Sequence, residues 1–415
     1  MILVSHANGN TFVRALLATL LKEQRLGLFA TGFGFTGAPR ILPWLPASLR
    51  SELGRRHYEL PPDRLSTRPH RELVRLAAQR LGWAKLHRNE SGWASVDAVY
   101  QDLDRAVARR LPKWKKTLGL TAAYAYEDGA LQTLRAARAE GLPAVYDLPI
   151  AYWETLRALL REEALRLPQW EPTLQGGTRD SEAKLANKTA ELEAADIVVC
   201  PSQFVLDSLP ASARREKTCI VAEFGTPPIQ DLPRARPKPG EKLRVLFAGS
   251  MSQRKGLGDL FAAMKLLRRS DVELVVMGTP QAEMGFYRSE YADFRYEPTR
   301  PHADVLKLMA GCDALCLPSI VEGRALVQQE AMACGLPVVA TANAGASDLI
   351  RDEVSGFLVP IRSPEILAGK LAWMADHREE THAMGLTAQA MARELTWARY
   401  GEKILRAIDA KTHAS

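Results

Sequence analysis

Two carboxylates, Glu322 and Glu330, are separated by seven residues in PSIVEGRALVQQEAMACGLPVVAT, residues 318–341. The stretch reads as a strand end, a glycine-bearing turn, a short helix and a second strand. Gly335 and Pro337 stop the helix, and Val338-Val339-Ala340 resumes an apolar strand. The first N–H groups of a helix have no partner within it, so those opening this one could hold a phosphate. The carboxylates could then accept hydroxyls on either side, which suits a ligand in which a phosphate joins a sugar to a nucleoside. Taken alone, Glu322 is what pairing with a helix dipole would favour, and Glu330 reads as an ordinary helical surface residue.

A second set of residues changes that balance. Gly249-Ser250-Met251-Ser252-Gln253-Arg254-Lys255-Gly256 directly follows an apolar strand. Its small residues let backbone approach a ligand, while Arg254 and Lys255 supply fixed positive charge for a diphosphate. Gly278, where the strand VELVVM ends, is the third element aimed at the same place.

Positioning these groups requires a regular α/β scaffold. Ile2-Leu3-Val4 runs into a glycine-bearing turn containing His6 and Gly9, and then into a helix with Phe12, Leu16, Leu17, Leu20 and Leu21 at helical spacing. Strands are expected at 26–30, 122–126, 144–146, 197–200 and 219–222, with helices between them. The region 50–116 reads as a basic, helical insertion with Trp83, Trp93 and Trp114, and Pro112 is expected to end its last helix. Residues 231–242, DLPRARPKPGEK, read as a linker between a first domain, 1–230, and a second, 243–390. The second repeats the strand–helix rhythm at 244–247, 257–267, 272–277, 312–317, 338–341 and 357–359. A last amphipathic helix within 391–415 is expected to return to the first domain. Two doubly wound domains facing across a cleft follow, with ligand at the carboxyl ends of the strands.

Gly32-Phe33-Gly34-Phe35-Thr36-Gly37 matches GxGxxG, but the prolines at 39, 43 and 46 forbid the helix that a dinucleotide fingerprint needs, so it reads as a loop. The 415 residues and 47% hydrophobic content fit a soluble two-domain protein with no membrane-spanning run. The N-terminus lacks the basic start of a signal peptide, which points to the cytoplasm. The five cysteines read as buried thiols without disulfide or zinc spacing. A net charge of +7 suits an anionic partner. Arg109, Arg110, Lys113, Lys115 and Lys116 beside Trp114 could lie on an anionic membrane surface or form a solvated helix face. No nucleic-acid-binding pattern is present.

The joint pattern resembles the retaining glycosyltransferases of the GT-B fold, specifically family four (glycosyl transferases group 1). It rests on the E-x7-E pair, the upstream Pro318-Ser319, Arg254-Lys255-Gly256 and Gly335-Leu336-Pro337-Val338-Val339-Ala340-Thr341. The resemblance is strong over 245–360 and thinner over 1–228. It implies a metal-independent hexosyltransferase whose co-substrate is a nucleotide-diphospho-sugar, with no other cofactor. Its acceptor would be a glycan or lipid-linked glycan of the cell envelope or an exopolysaccharide. On the matching positions, Lys255 and Arg254 would neutralise the leaving diphosphate and Glu322 would lie near the donor sugar. Glu330 would take the ribose hydroxyls. Gly9, Gly249, Ser250, Gly278, Gly323, Arg324, Leu326 and Val327 would border the donor.

The chain also departs from the family. Ser250 stands where an arginine is common, and Gly323-Arg324-Ala325 replaces Gly-Phe-Gly. Arg324 could reach phosphate or acceptor, or point to solvent. The first-domain strand that often ends in a sugar-contacting histidine ends here in Asp147, which could replace it or merely form a turn. These departures motivate a second reading, a catalytically weak binding or partner subunit on the same scaffold.

Overall fold

A computed structural model describes residues 1–37, 50, 53–174, 176–227 and 240–413. The prolines at 39, 43 and 46 and most of the expected linker, 231–239, lie outside the described residues. Thirteen strands are described, in two fully parallel sheets.

The first sheet contains β1 (Ile2–Ser5), β2 (Leu26–Thr31), β3 (Leu65–Thr67), β4 (Ala122–Tyr126), β5 (Ala144–Asp147), β6 (Ile197–Cys200) and β7 (Thr218–Val221). Its order is β3-β2-β1-β4-β5-β6-β7. The second contains β8 (Leu243–Ala248), β9 (Val272–Met277), β10 (Phe294–Glu297), β11 (Ala314–Leu317), β12 (Val338–Thr341) and β13 (Gly356–Val359), in the order β10-β9-β8-β11-β12-β13. Central strands such as β1, β4, β11 and β12 are buried along their whole length, because helices cover both faces of a parallel sheet. Alternation along each strand then feeds two cores. In β1, Leu3 enters the core on one face of the sheet while Ile2 and Val4 enter the core on the other.

In each sheet the winding reverses at one place, between β1 and β4 and between β8 and β11. The turns leaving those strands carry Ser5–Gly9, Tyr126–Gly129, Gly249–Gly256 and Pro318–Glu322. Doubly wound sheets bind ligands outside the carboxyl ends of the strands at such a reversal.

Two segments tie the halves together. The helix Trp397–His413 lays Tyr400, Ile404 and Ile408 into the same core as Ile2, Val4 and Leu16 of the first half. In the other direction, the turn after the Trp153–Arg166 helix plugs Trp170 into the core of the second half, edge-on to Phe261 and Tyr287. Glu163, fully buried, receives Arg166, Gln253 and Arg362 at that junction.

The region 50–116 differs from the helical expectation. Leu65-Ser66-Thr67 forms the edge strand β3, in register with Phe29-Ala30-Thr31. The helix Val96–Leu118 also runs through Pro112 and ends at Gly119, whose φ of 62° is left-handed. Pro112 removes one backbone donor, but Leu111 continues the buried stripe and Trp114 and Leu118 pack on the same core. Tertiary burial there outweighs the local cost. Trp114 is thus turned inwards. The strand β10, Phe294–Glu297, falls between the second-domain elements expected from the sequence.

Candidate active site

The loop after β8 begins with a backbone that only glycine accommodates easily. Gly249 has φ +150° and Gly278, ending the neighbouring β9, has φ +157°. A Cβ on Gly278 would lie 1.7 Å from the carbonyl oxygen of Gly249, and one on Gly249 would lie 2.7 Å from Cδ of Lys255. The two glycines therefore let β8 and β9 end side by side and let the Lys255 stem cross directly over Gly249. Ser252 and Gln253 are fully buried, and a single 3-10 turn, Gln253–Lys255, presents the two cations. Gly256 closes that turn at φ +76°, where a side chain would meet the carbonyl of Pro318 at 2.0 Å.

Both cations reach the loop after β11. Lys255 Nζ and Arg254 Nη1 each lie 2.7 Å from the same oxygen, Oε1 of Glu322. The backbone sets this up as well, since Ile320 N–H donates to the Arg254 carbonyl at 2.9 Å and Glu322 N–H to the Asn343 carbonyl at 3.0 Å. Burial by itself would raise the Glu322 pKa, but Lys255 and Arg254 outweigh it and hold the carboxyl below its ordinary value. The group is therefore an ionised carboxylate between two cations.

Four residues further on, the helix Leu326–Ala333 opens beside this triad. Leu326 packs against the core of the first half, and Val327 against both cores of the second. Glu330 is partly exposed on that helix and pairs with Nε2 of His302 at 3.1 Å. His302 begins the helix after Pro301, and nothing in its sequence neighbourhood advertised it. Gln329, fully buried, donates to the carbonyl of Phe224 in the first half. Ser250 turns its hydroxyl toward that of Ser252 at 3.3 Å, within its own loop.

Two residues proposed from the sequence sit differently, and a third, Gly9, is held by its own half. Arg324 reaches neither solvent nor the Lys255 side. Its guanidinium is fully buried, donating through Nε to the Pro201 carbonyl at 2.6 Å and pairing with Asp348. The reason lies in the other half: Gly323 directs the chain against Pro149, whose carbonyl oxygen would be 1.8 Å from any Cβ there, so the next side chain turns into the junction of the halves. Asp147 is only 2% exposed and accepts a hydrogen bond from the Tyr124 hydroxyl. It points to the core face that Tyr400 covers, and burial raises its pKa to about 7. It is a core carboxyl and presents no surface to a sugar. Gly9 is pinned within its own half: its N–H donates to the Tyr58 hydroxyl at 2.8 Å and its carbonyl receives Arg14. His6 is also internal, accepting the Asn8 N–H on Nδ1, and burial lowers its pKa to about 3.

Gly32 donates to the Ala7 carbonyl and no helix follows through Gly37, as a loop requires. All five cysteines are free. Among the described residues, no group of three His, Cys, Asp or Glu side chains could hold a metal ion, and no helix is long and apolar enough to cross a membrane.

Residues 228–391 match the family described as glycosyl transferases group 1. A D-inositol 3-phosphate glycosyltransferase of Segniliparus rotundus is 31% identical over 201 residues, 46% of this chain and 42% of that protein. A D-inositol 3-phosphate glycosyltransferase 1 of Catenulispora acidiphila is 28% identical over 247 residues, 54% of this chain and 59% of that one. The chain thus spans about half the length of the curated relatives it matches. Among solved structures, sucrose-phosphate synthase from Thermosynechococcus elongatus superposes with a TM-score of 0.67 at 16% identity, over 100% of this chain and 99% of that one. Anabaena HepE in complex with UDP-glucose gives 0.59 at 16% identity, covering 99% of both chains. The chain has the GT-B fold, and its second half carries the glycosyl transferases group 1 match.

Proposed function

We propose that the protein is a retaining glycosyltransferase that moves a hexose from a nucleotide-diphospho-sugar to an acceptor hydroxyl. The observation that carries this reading is the convergence of Lys255 and Arg254 on Glu322 at the reversal point of the second sheet, beside the opening turn of Leu326–Ala333. Relatives named as glycosyltransferases, and a fold neighbour captured with UDP-glucose, support the class of donor.

In this reading the bond between the anomeric carbon and the diphosphate breaks first, and negative charge develops on the departing oxygen. Lys255 and Arg254, with the N–H groups that open the helix at Leu326 and Val327, stabilise that charge where it appears. Glu322 lies beside the sugar and balances the positive charge of the oxocarbenium-like ring. Glu330 accepts the ribose hydroxyls. The acceptor oxygen attacks from the face the diphosphate leaves, so configuration is retained and the acceptor proton passes to the departing phosphate. Positioning and leaving-group stabilisation carry such a reaction without a covalent intermediate. The acceptor, a glycan or lipid-linked glycan, is assigned to the carboxyl edge of the first sheet.

A thermal-shift screen over nucleotide-diphospho-sugars, followed by turnover of the best donor, tests the proposal. One or a few donors should raise the melting temperature and be consumed. No response to any donor would overturn the reading.

A further inference from the structure

Arg324 presents an energetic puzzle that the proposed chemistry does not absorb. Its guanidinium is wholly buried, and while Nε and Nη2 are engaged by Pro201 and Asp348, Nη1 has no hydrogen-bond partner. Burying a charge with a donor left over is costly, and a well-packed apolar side chain of similar length would generally serve stability as well. Such a pair is therefore poorly explained by stability and better explained by position.

What it positions is visible from its neighbours. Pro201 belongs to the first half, immediately after β6, whereas Asp348 belongs to the second, after β12. Asp348 also accepts the Gln203 N–H at 3.3 Å, and Ser202 Oγ donates to the Gly323 carbonyl at 2.7 Å. Three consecutive first-half residues, Pro201, Ser202 and Gln203, thus grip Gly323, Arg324 and Asp348. Gly345 fills the remaining space at φ +72°, where a Cβ would lie 2.5 Å from the Gly323 carbonyl and 3.2 Å from Cα of Arg324. The carboxylate of Glu322 and the helix opening at Leu326 stand two residues to either side of this clamp.

We propose that Arg324 is a positioning residue that sets the donor loop against the first half. Its planar fork holds a carbonyl of one half and a carboxylate of the other together, and so fixes Glu322 and the Leu326 turn relative to the half that would present the acceptor. The inference rests on the glycosyltransferase reading for its kinetic consequences, but the tether itself does not depend on it. Because the cations and Glu330 belong to the second half alone, loosening the tether should leave donor binding nearly intact and misalign the two substrates. Lysine cannot fork in this way, so Arg324→Lys should restore function only in part.

The test compares wild type with Arg324→Met, Arg324→Lys, Asp348→Asn and the Arg324→Met/Asp348→Asn double variant. In steady-state transfer, kcat should fall about tenfold or more in Arg324→Met while the donor KM changes less than about threefold, with Arg324→Lys intermediate. The double variant should be no worse than the poorer single variant, because both remove one interaction. Amide hydrogen exchange on the free proteins should accelerate at residues 201–205 and 319–325 together in Arg324→Met and in Asp348→Asn. Wild-type kcat and unchanged exchange in these variants would overturn the proposal, as would a loss confined to donor KM. Should Arg324→Met fail to fold, Asp348→Asn and Ser202→Ala give the same exchange readout. A wild-type protein that consumes no donor would overturn the glycosyltransferase reading, and the exchange result would still decide the tether.

Discussion

Lys255 Nζ and the Glu322 carboxylate meet at 2.7 Å, and Arg254 closes on the same Glu322 oxygen at the same distance. The two cations assigned to the diphosphate are thus neutralised in part by the carboxylate assigned to the sugar. Opposite signs are expected for removing the two kinds of charge. Glu322→Gln keeps the shape and one acceptor but frees the cations, so a nucleoside diphosphate should bind several-fold more tightly while turnover falls. Lys255→Met should weaken the same ligand about tenfold or more, consistent with losing a charge-assisted hydrogen bond. Calorimetric titration of both variants with a nucleoside diphosphate measures this; weaker binding by Glu322→Gln would show that the pair does not compete with phosphate.

The glycines at the ends of β8 and β9 are required by geometry. Gly278→Ala would place a methyl 1.7 Å from the Gly249 carbonyl at a φ that alanine rarely adopts. A stability loss of more than about 1 kcal/mol is expected from the backbone strain alone. Thermal melts followed by circular dichroism check it, and a variant as stable as wild type would show that the two strand ends can separate freely.

Asp147 gives a pH signature that separates a core carboxyl from a catalytic one. Burial raises its pKa from 3.8 to about 7 in the folded protein. Between those values the folded state binds more protons than the unfolded state, so its contribution to stability falls as pH rises from about 4 to about 7 and is then level. Asp147→Asn removes this slope. Relative to wild type, the variant should gain melting temperature progressively over that window while keeping turnover once folded. A constant difference across the window, or abolished turnover in a folded variant, would contradict the core assignment.

How far the sequence reveals the site depends on whether local residue types determine the geometry. The strand–glycine–cation order at 244–256 and the Glu322–Glu330 spacing are local, and the fold brings Lys255, Arg254 and Glu322 together. Arg324 and Asp147 are placed by residues far away in the chain. Arg324 turns inwards because Pro149 crowds Gly323 from the other half, and Asp147 is covered by Tyr400 of the last helix. Neither neighbour is visible from residues 318–341 or 144–149. His302 is similar, a helix-start residue whose partner Glu330 lies on another helix. The edge strand β3 escaped notice because three half-exposed residues carry almost no alternation to read. Pro112 misled for the opposite reason, since its local rule is sound but a long buried stripe overrides it.

The assignment of Glu330 is the most direct test of the whole account, because a ribose-binding carboxylate has no reason to matter in a protein that holds no nucleoside. Titrating the donor selected by the thermal-shift screen into wild type and Glu330→Ala measures it. Loss of a charged hydrogen bond to a sugar hydroxyl is worth about 1.5–3 kcal/mol, or roughly 10- to 100-fold in Kd. The account predicts a weakening in that range with the fold intact; equal affinity in the two proteins would contradict it.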